Sequence, residues 1–211
     1  MNLYVLPAMP NLLIPDFSDP WTLINMIVLI LAAVSVSIAV SRYAADRFGG
    51  DRRKAAVFFV GVTLCVCLLM LCFFGLAAVT IRGVILCLLL EYSTFSDIKT
   101  RECDDWVHVM IVIAAFIGRE LSGLPDMLLA ATFTAGIMLL TSIITREPVG
   151  GADIKLTAAC AFMLGLKRGI IGLVIGTLLA VAVNLFKTKD KHEGFPMIPY
   201  LAMGFMGAYF I

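Results

Sequence analysis

Asp97 and Asp153 are the residues of this chain best placed to do chemistry, and each stands at the edge of an apolar segment. Asp153 lies in Val149-Gly150-Gly151-Ala152-Asp153-Ile154-Lys155-Leu156. Asp97 opens a polar run, Asp97-Ile98-Lys99-Thr100-Arg101-Glu102-Cys103-Asp104-Asp105. Two carboxyl groups a few ångströms apart cannot both ionise cheaply, so they share a proton. One can then accept a proton from water while the other donates to a carbonyl oxygen. Water attacks the amide directly, and both titrations belong to the pair. Gly150 and Gly151 would leave room for an extended substrate and allow backbone turns that other residues resist. A helix beginning at 154 would aim N–H groups at the pair. Read locally, the same residues also fit a simple turn, with Asp153 as an N-cap and Asp97 in an interfacial loop.

The elements that must position these aspartates are apolar. The chain of 211 residues is 61% hydrophobic and only 15% charged, against about 45–50% and about 25% in soluble domains. Its mean hydropathy is +1.01. Several runs approach the roughly 20 residues needed to cross a bilayer, and the alternation of a membrane β-barrel is absent. The expected fold is an all-α, polytopic membrane helix bundle of about six to eight spans. A net charge of +1 gives no reason to expect nucleic acid as a partner. Five of the six cysteines sit in apolar runs and read as packing residues. With no paired CxxC motifs and two isolated histidines, no metal or other cofactor is expected.

In chain order, residues 1–20 read as a short interfacial tail with Pro7, Pro10, Pro15 and Pro20, and 21–211 as the membrane-embedded domain. Apolar spans are predicted at 21–41, 55–77, 80–96, 106–117, 127–144, 154–166, 169–186 and 195–211, with Gly75 and Arg82 marking the break between the second and third. Placing the basic 42–54 loop in the cytoplasm puts twelve of the sixteen Lys and Arg residues on that side: five in 42–54, then Lys99, Arg101, Arg146, Lys155, Lys187, Lys189 and Lys191. The other side keeps Arg82, Arg119, Lys167 and Arg168. Cytoplasmic enrichment of basic residues favours this orientation. It also puts Asp97 and Asp153 on the same, cytoplasmic, side.

Three stretches in order resemble the type IV prepilin peptidase family of GxGD membrane aspartic proteases. The run from Asp97 to Trp106 is similar to the family's D-x-x-x-x-x-I-P-[DN]. Gly150-Gly151-Ala152-Asp153-Ile154-Lys155-Leu156 is similar to G-x-G-D-x-K-L. Phe195-Pro196-Met197-Ile198-Pro199-Tyr200-Leu201-Ala202-Met203-Gly204 is similar to the late P-F-G-P-x-L-x-x-G. The resemblance covers residues 80–211 and implies that Asp97 and Asp153 are the catalytic pair. It implies cleavage of a leader peptide at the cytoplasmic membrane face, ahead of a pilin-like hydrophobic helix, so prepilin-like precursors and membrane lipid are the expected partners. Gly150, Gly151, Ala152, Lys155, Asp105, Pro196 and Pro199 fall at supporting positions. This chain departs from the pattern where Cys103-Asp104 replaces I-P, Ala152 replaces the second glycine, and Met197-Ile198 replaces F-G. The cysteine pairs of the larger enzymes' methylating, zinc-binding domain have no counterpart, so a peptidase-only form is expected.

Other polar groups have plainer readings. Ser93, four residues before Asp97, shares its helix face and is a candidate hydrogen-bond partner of the pair. Glu91 faces elsewhere and is expected to be buried against a neighbouring helix or bonded near Tyr92. His108 reads as a satisfied interfacial histidine, and His192 as solvated. A different class of function, a small transporter or channel using Asp97 and Asp153 as a proton or cation site, would favour carboxylates near the bilayer midplane rather than at one face.

Overall fold

A computed structural model of the chain describes residues 19–145, 149–186 and 195–211. Most of the predicted tail and the Lys-rich loop, with His192, lie outside these residues. Eight α-helices follow in order: α1 (Pro20–Phe48), α2 (Arg52–Phe74), α3 (Ala78–Thr100), α4 (Asp105–Ala115), α5 (Leu124–Thr145), α6 (Gly151–Leu164), α7 (Leu166–Phe186) and α8 (Ile198–Tyr209). A short 3-10 turn, Leu121–Gly123, leads into α5.

Five helical stretches are long and apolar enough to cross a membrane: Pro20–Phe48, Arg52–Phe74, Ala78–Thr100, Leu121–Ile144 and Leu166–Leu185. The chain is thus an all-α polytopic membrane bundle. Helices α4, α6 and α8 have 11, 14 and 12 residues. At 1.5 Å per residue these reach about 17–21 Å, short of the roughly 30 Å hydrocarbon layer.

Among the described residues the eight predicted segments overlap eight helices with shifted ends, but five of them, against about six to eight expected spans, are long and apolar enough to cross a membrane. The break after the second span falls at Gly75, whose φ of +62° closes α2. Arg82, expected at this break, instead lies one turn inside α3 and is buried. The predicted 42–54 loop is largely helical: α1 continues through Arg42 and Arg47, and α2 starts at Arg52. Asp19 and Asp51 accept from the first N–H groups of α1 and α2, caps that fix where each helix begins.

Helix α3 is the central post. Two thirds of its apolar window is buried, against 11% for α1, and it packs on α1, α2, α4 and α8. The outer faces of α1, α2, α5 and α7 expose Ile27, Leu31, Val57, Phe58, Leu140, Ile143 and Leu178, as lipid-facing surfaces do. Helices α7 and α8 approach closely because glycines line both sides. A Cβ on Gly204 would run into the Gly172 carbonyl oxygen and the Gly176 nitrogen. Gly172-x-x-x-Gly176 is the small-residue spacing that lets membrane helices touch through their backbones.

Two bonds pin α8 antiparallel to α3. At one end the Ile198 N–H donates to Asp97 Oδ2 at 3.1 Å. At the other, the Tyr209 hydroxyl donates to the Val79 carbonyl at 2.8 Å.

Candidate functional site

Asp97 lies in the last turn of α3 rather than in a loop. The helix runs on to Thr100 and closes at Arg101, in the left-handed conformation at φ +62°. The Asp97 side chain is buried, and its contact with Ile198 brings the start of α8 to the site. Pro199, in the first turn of α8, has no N–H to lose there. The late Pro-containing stretch therefore does structural work at Asp97 through a backbone donor. Pro196, two residues before the helix, is half-buried.

Asp153 is the third residue of α6, with Gly150, not Asp153, at the N-cap position. Its carboxyl folds back over Gly150, where a Cβ would fall 2.7 Å from Asp153 Oδ2. A side chain at 150 would push the Asp153 carboxylate out of this position. Gly151 is exposed and has open space where a Cβ would go, and Ala152 is half-buried. Burial pushes the Asp153 carboxyl up to about 6, and the Asp97 charge adds to the rise. The two aspartates come from helices α3 and α6, 56 positions apart in sequence, yet Asp153 senses the charge of Asp97.

Cys103, half-buried in the α3–α4 loop, feels the charges of Asp104, Asp97 and Asp153. Burial pushes its thiol up to about 11, and a hydrogen bond with Ser93 works against that rise. Ser93 also donates to the Leu89 carbonyl at 2.8 Å. It thus stands behind Cys103, with its hydrogen bonds directed to Leu89 and Cys103. The His108 Nε2 lies 3.8 Å from Cys103 Sγ.

Lys155 and Asp105, two positions picked from separate motifs, meet in an ion pair at 2.7 Å that ties α6 to α4. The lysine holds the Asp105 carboxyl below the usual carboxylate range. Both groups are well exposed, so the pair adds little to stability. Its value lies in fixing how the two motifs sit relative to each other.

Asp104 has a role that its sequence position does not show. Its Oδ2 accepts from the Tyr92 hydroxyl at 2.6 Å and its Oδ1 from Arg47 Nη2 at 2.7 Å. Helices α1, α3 and α4 meet at this carboxylate, and Tyr92 is packed between Tyr43, Phe48 and Trp106. The adjacent acids Asp104 and Asp105 were visible in sequence, but nothing local shows that one turns inward and the other outward. Glu91 is buried away from the aspartates and is bonded by Thr63 Oγ1 of α2 at 3.0 Å. Among the described residues, no group of three His, Cys, Asp or Glu side chains is placed to hold a metal ion.

The geometry can do one thing well. It holds two carboxyls at one end of the bundle, one of them raised to about 6, beside an exposed glycine. A sequence profile of the type IV leader peptidase family matches residues 84–185, a stretch that includes both aspartates. The prepilin leader peptidase/N-methyltransferase of Bacillus subtilis (strain 168) is 37% identical over 81 residues, which is 36% of this chain and 33% of that protein. The match therefore spans about a third of the relative's length. No solved structure matches.

Proposed function

The chain belongs to the type IV leader peptidase family, and from that premise we propose that it is an integral-membrane aspartic endopeptidase removing the leader peptide from type IV prepilin-like precursors. Asp97 and Asp153 are the catalytic pair in this reading, at the cytoplasmic face of the plasma membrane. What supports the reading is that Asp153, in the first turn of α6, lies within electrostatic reach of Asp97, in the last turn of α3, and is raised to about 6.

The chemistry follows from the shared proton. The ionised member accepts a proton from water as the oxygen attacks the scissile carbonyl carbon. The protonated member donates to the carbonyl oxygen, giving a tetrahedral diol. The first carboxyl then passes its new proton to the leaving nitrogen, a diol hydroxyl returns its proton to the second carboxylate as the C–N bond breaks, and the pair again holds one proton. The Ile198 N–H fixes the orientation of Asp97. The open side of Gly151 admits an extended strand, while the hydrophobic helix behind the cut would rest against the lipid-facing side of the bundle. Recognition then combines a short leader with membrane partitioning.

The test is cleavage of prepilin-like precursors from the same source in detergent or liposomes, read by mass spectrometry, with wild type, Asp97→Ala and Asp153→Ala. A single defined cut made by the wild type and lost in both folded variants is the expected result. Retained cleavage in either variant would rule out this pair.

A further inference from the structure

The connection between α1 and α2 lies at the same end of the bundle as Asp97. Arg47, in the last turn of α1, pairs with Asp104 at 2.7 Å, and a Cβ on Gly50 would meet the Phe95 ring at 3.3 Å. From that end the two helices run side by side and, among the described residues, leave a cavity of about 770 Å³ between them. Ligand sites commonly span about 300–1,000 Å³. Near the connection the cavity is lined by Arg42, Asp46, Arg52 and Arg53. Farther along the helices its walls are Ile38, Val57, Val60 and Gly61.

The sequence builds this division. Ile38, Arg42 and Asp46 recur every four residues on α1, and Arg53, Val57 and Gly61 do so on α2, so each set shares one helix face. The charges fall in the last two turns of α1 and the first turn of α2, and the apolar positions lie deeper in both. From Arg53 to Gly61 the helix advances about 12 Å at 1.5 Å per residue, so the cavity passes from the interfacial layer into the hydrocarbon layer. Val57 is 75% exposed on the outer face of α2, which opens the cavity toward lipid. Gly61 is exposed, and nothing lies within 4 Å of an added Cβ. Its missing side chain keeps the deep end open.

Three arginines in the lining stand against one aspartate, and Arg52 Nε donates to that Asp46 Oδ1 at 2.6 Å, bridging the two helices. Cations at the interfacial end and apolar walls behind them match a molecule with an anion at one end and hydrocarbon at the other. Guanidinium groups hold phosphate oxygens through charge-assisted hydrogen bonds. Setting topology requires basic residues near the ends of a span; it does not require them to share a cavity with Val57, Val60 and an open glycine.

We propose that the cavity between α1 and α2 binds an anionic phospholipid, with the headgroup phosphate on Arg42 and Arg53 and an acyl chain entering against Ile38, Val60 and Gly61. The lipid would brace α1, which has the least buried apolar window of the five spans at 11%, against α2. Its binding does not depend on the chemistry of Asp97 and Asp153.

The experiment is native mass spectrometry of the full chain in an uncharged detergent, with phosphatidylglycerol or phosphatidylcholine added. It is run near physiological ionic strength, where exposed charges beyond about 8 Å are largely screened. The wild type should hold one phosphatidylglycerol in preference to phosphatidylcholine. Arg42→Gln and Arg53→Gln, both at exposed positions, should each weaken phosphatidylglycerol binding about fivefold. Lys99→Gln, at the same end of the bundle but outside the cavity lining, should leave it unchanged. Gly61→Leu keeps every charge and favours the helix, yet fills the space assigned to the acyl chain, so it should weaken binding of both lipids. Equal retention of the two lipids by the wild type, an equal loss in Lys99→Gln, or full phosphatidylglycerol retention in Gly61→Leu would overturn the proposal. A dimer that Gly61→Leu dissociates, in place of bound lipid, would assign the cavity to a second copy of the chain and overturn it as well.

Discussion

Replacing Gly204 with alanine adds one methyl group where α7 and α8 touch. That Cβ would lie 2.7 Å from the Gly176 Cα and nearer still to the Gly172 oxygen and Gly176 nitrogen. All of these are backbone atoms of a packed helix, so no side chain can rotate away. Restoring ordinary contact requires α8 to retreat by about 1 Å, and overpacking of this kind costs about 1–3 kcal/mol. Gly207, on the same helix, has nothing within 4 Å of an added Cβ. There alanine should gain about 0.5–1 kcal/mol from helix propensity alone. Thermal or denaturant unfolding in detergent should therefore separate the two variants by about 1.5–4 kcal/mol, in opposite directions from wild type. Retreat of α8 would also stretch the 3.1 Å bond from Ile198 to Asp97. Precursor cleavage should therefore fall in Gly204→Ala but not in Gly207→Ala. Equal stability of the two variants would refute the claim that backbone contact at Gly204 sets the position of α8.

Asp153 gives a pH prediction. An acid whose folded pKa is raised favours the folded state at low pH, and that advantage is lost as pH rises through the folded value. Stability should therefore decline between about pH 4 and 7, by up to roughly 3 kcal/mol for a carboxyl at about 6 instead of 3.8. Asp153→Asn should flatten that decline in a melting-temperature series, and an unchanged slope would show that Asp153 does not carry it. Tyr92→Phe removes the 2.6 Å bond to Asp104, which should cost about 1.5–3 kcal/mol as a hydrogen bond to a charged group. A double-mutant cycle with Asp104→Asn should show strong non-additivity, and additive effects would mean the bond contributes nothing.

The helices were legible because each is an apolar run bounded by charges, glycine or proline. Their ends were less so. Arg42 and Arg47 look like loop residues, yet α1 carries them into the interface because long basic side chains can extend along a helix to the polar layer. The two aspartates were picked by type and position. What held them was not readable: Ile198 contributes a main-chain N–H, which no side-chain pattern encodes. The Gly204 contact with Gly172 and Gly176 is of the same kind, since glycines record where backbones meet only once the partner helix is known. The inward turn of Asp104 depends on Tyr92 and Arg47, 12 and 57 positions away. Arg82 resembles a break because it is a cation in an apolar run, yet it is buried one turn inside α3 beside Tyr209.

The hydrogen bond between Asp97 and Ile198 joins residues 101 positions apart. A ribosome adding about 5–20 residues per second needs roughly 5–20 s to make that stretch. For that interval α3 has been made but α8 has not, and Asp97 lacks the donor that orients it. The order of synthesis thus acts as a timer: the carboxyl that the proposed chemistry depends on is set only after every other helix of the bundle has been made.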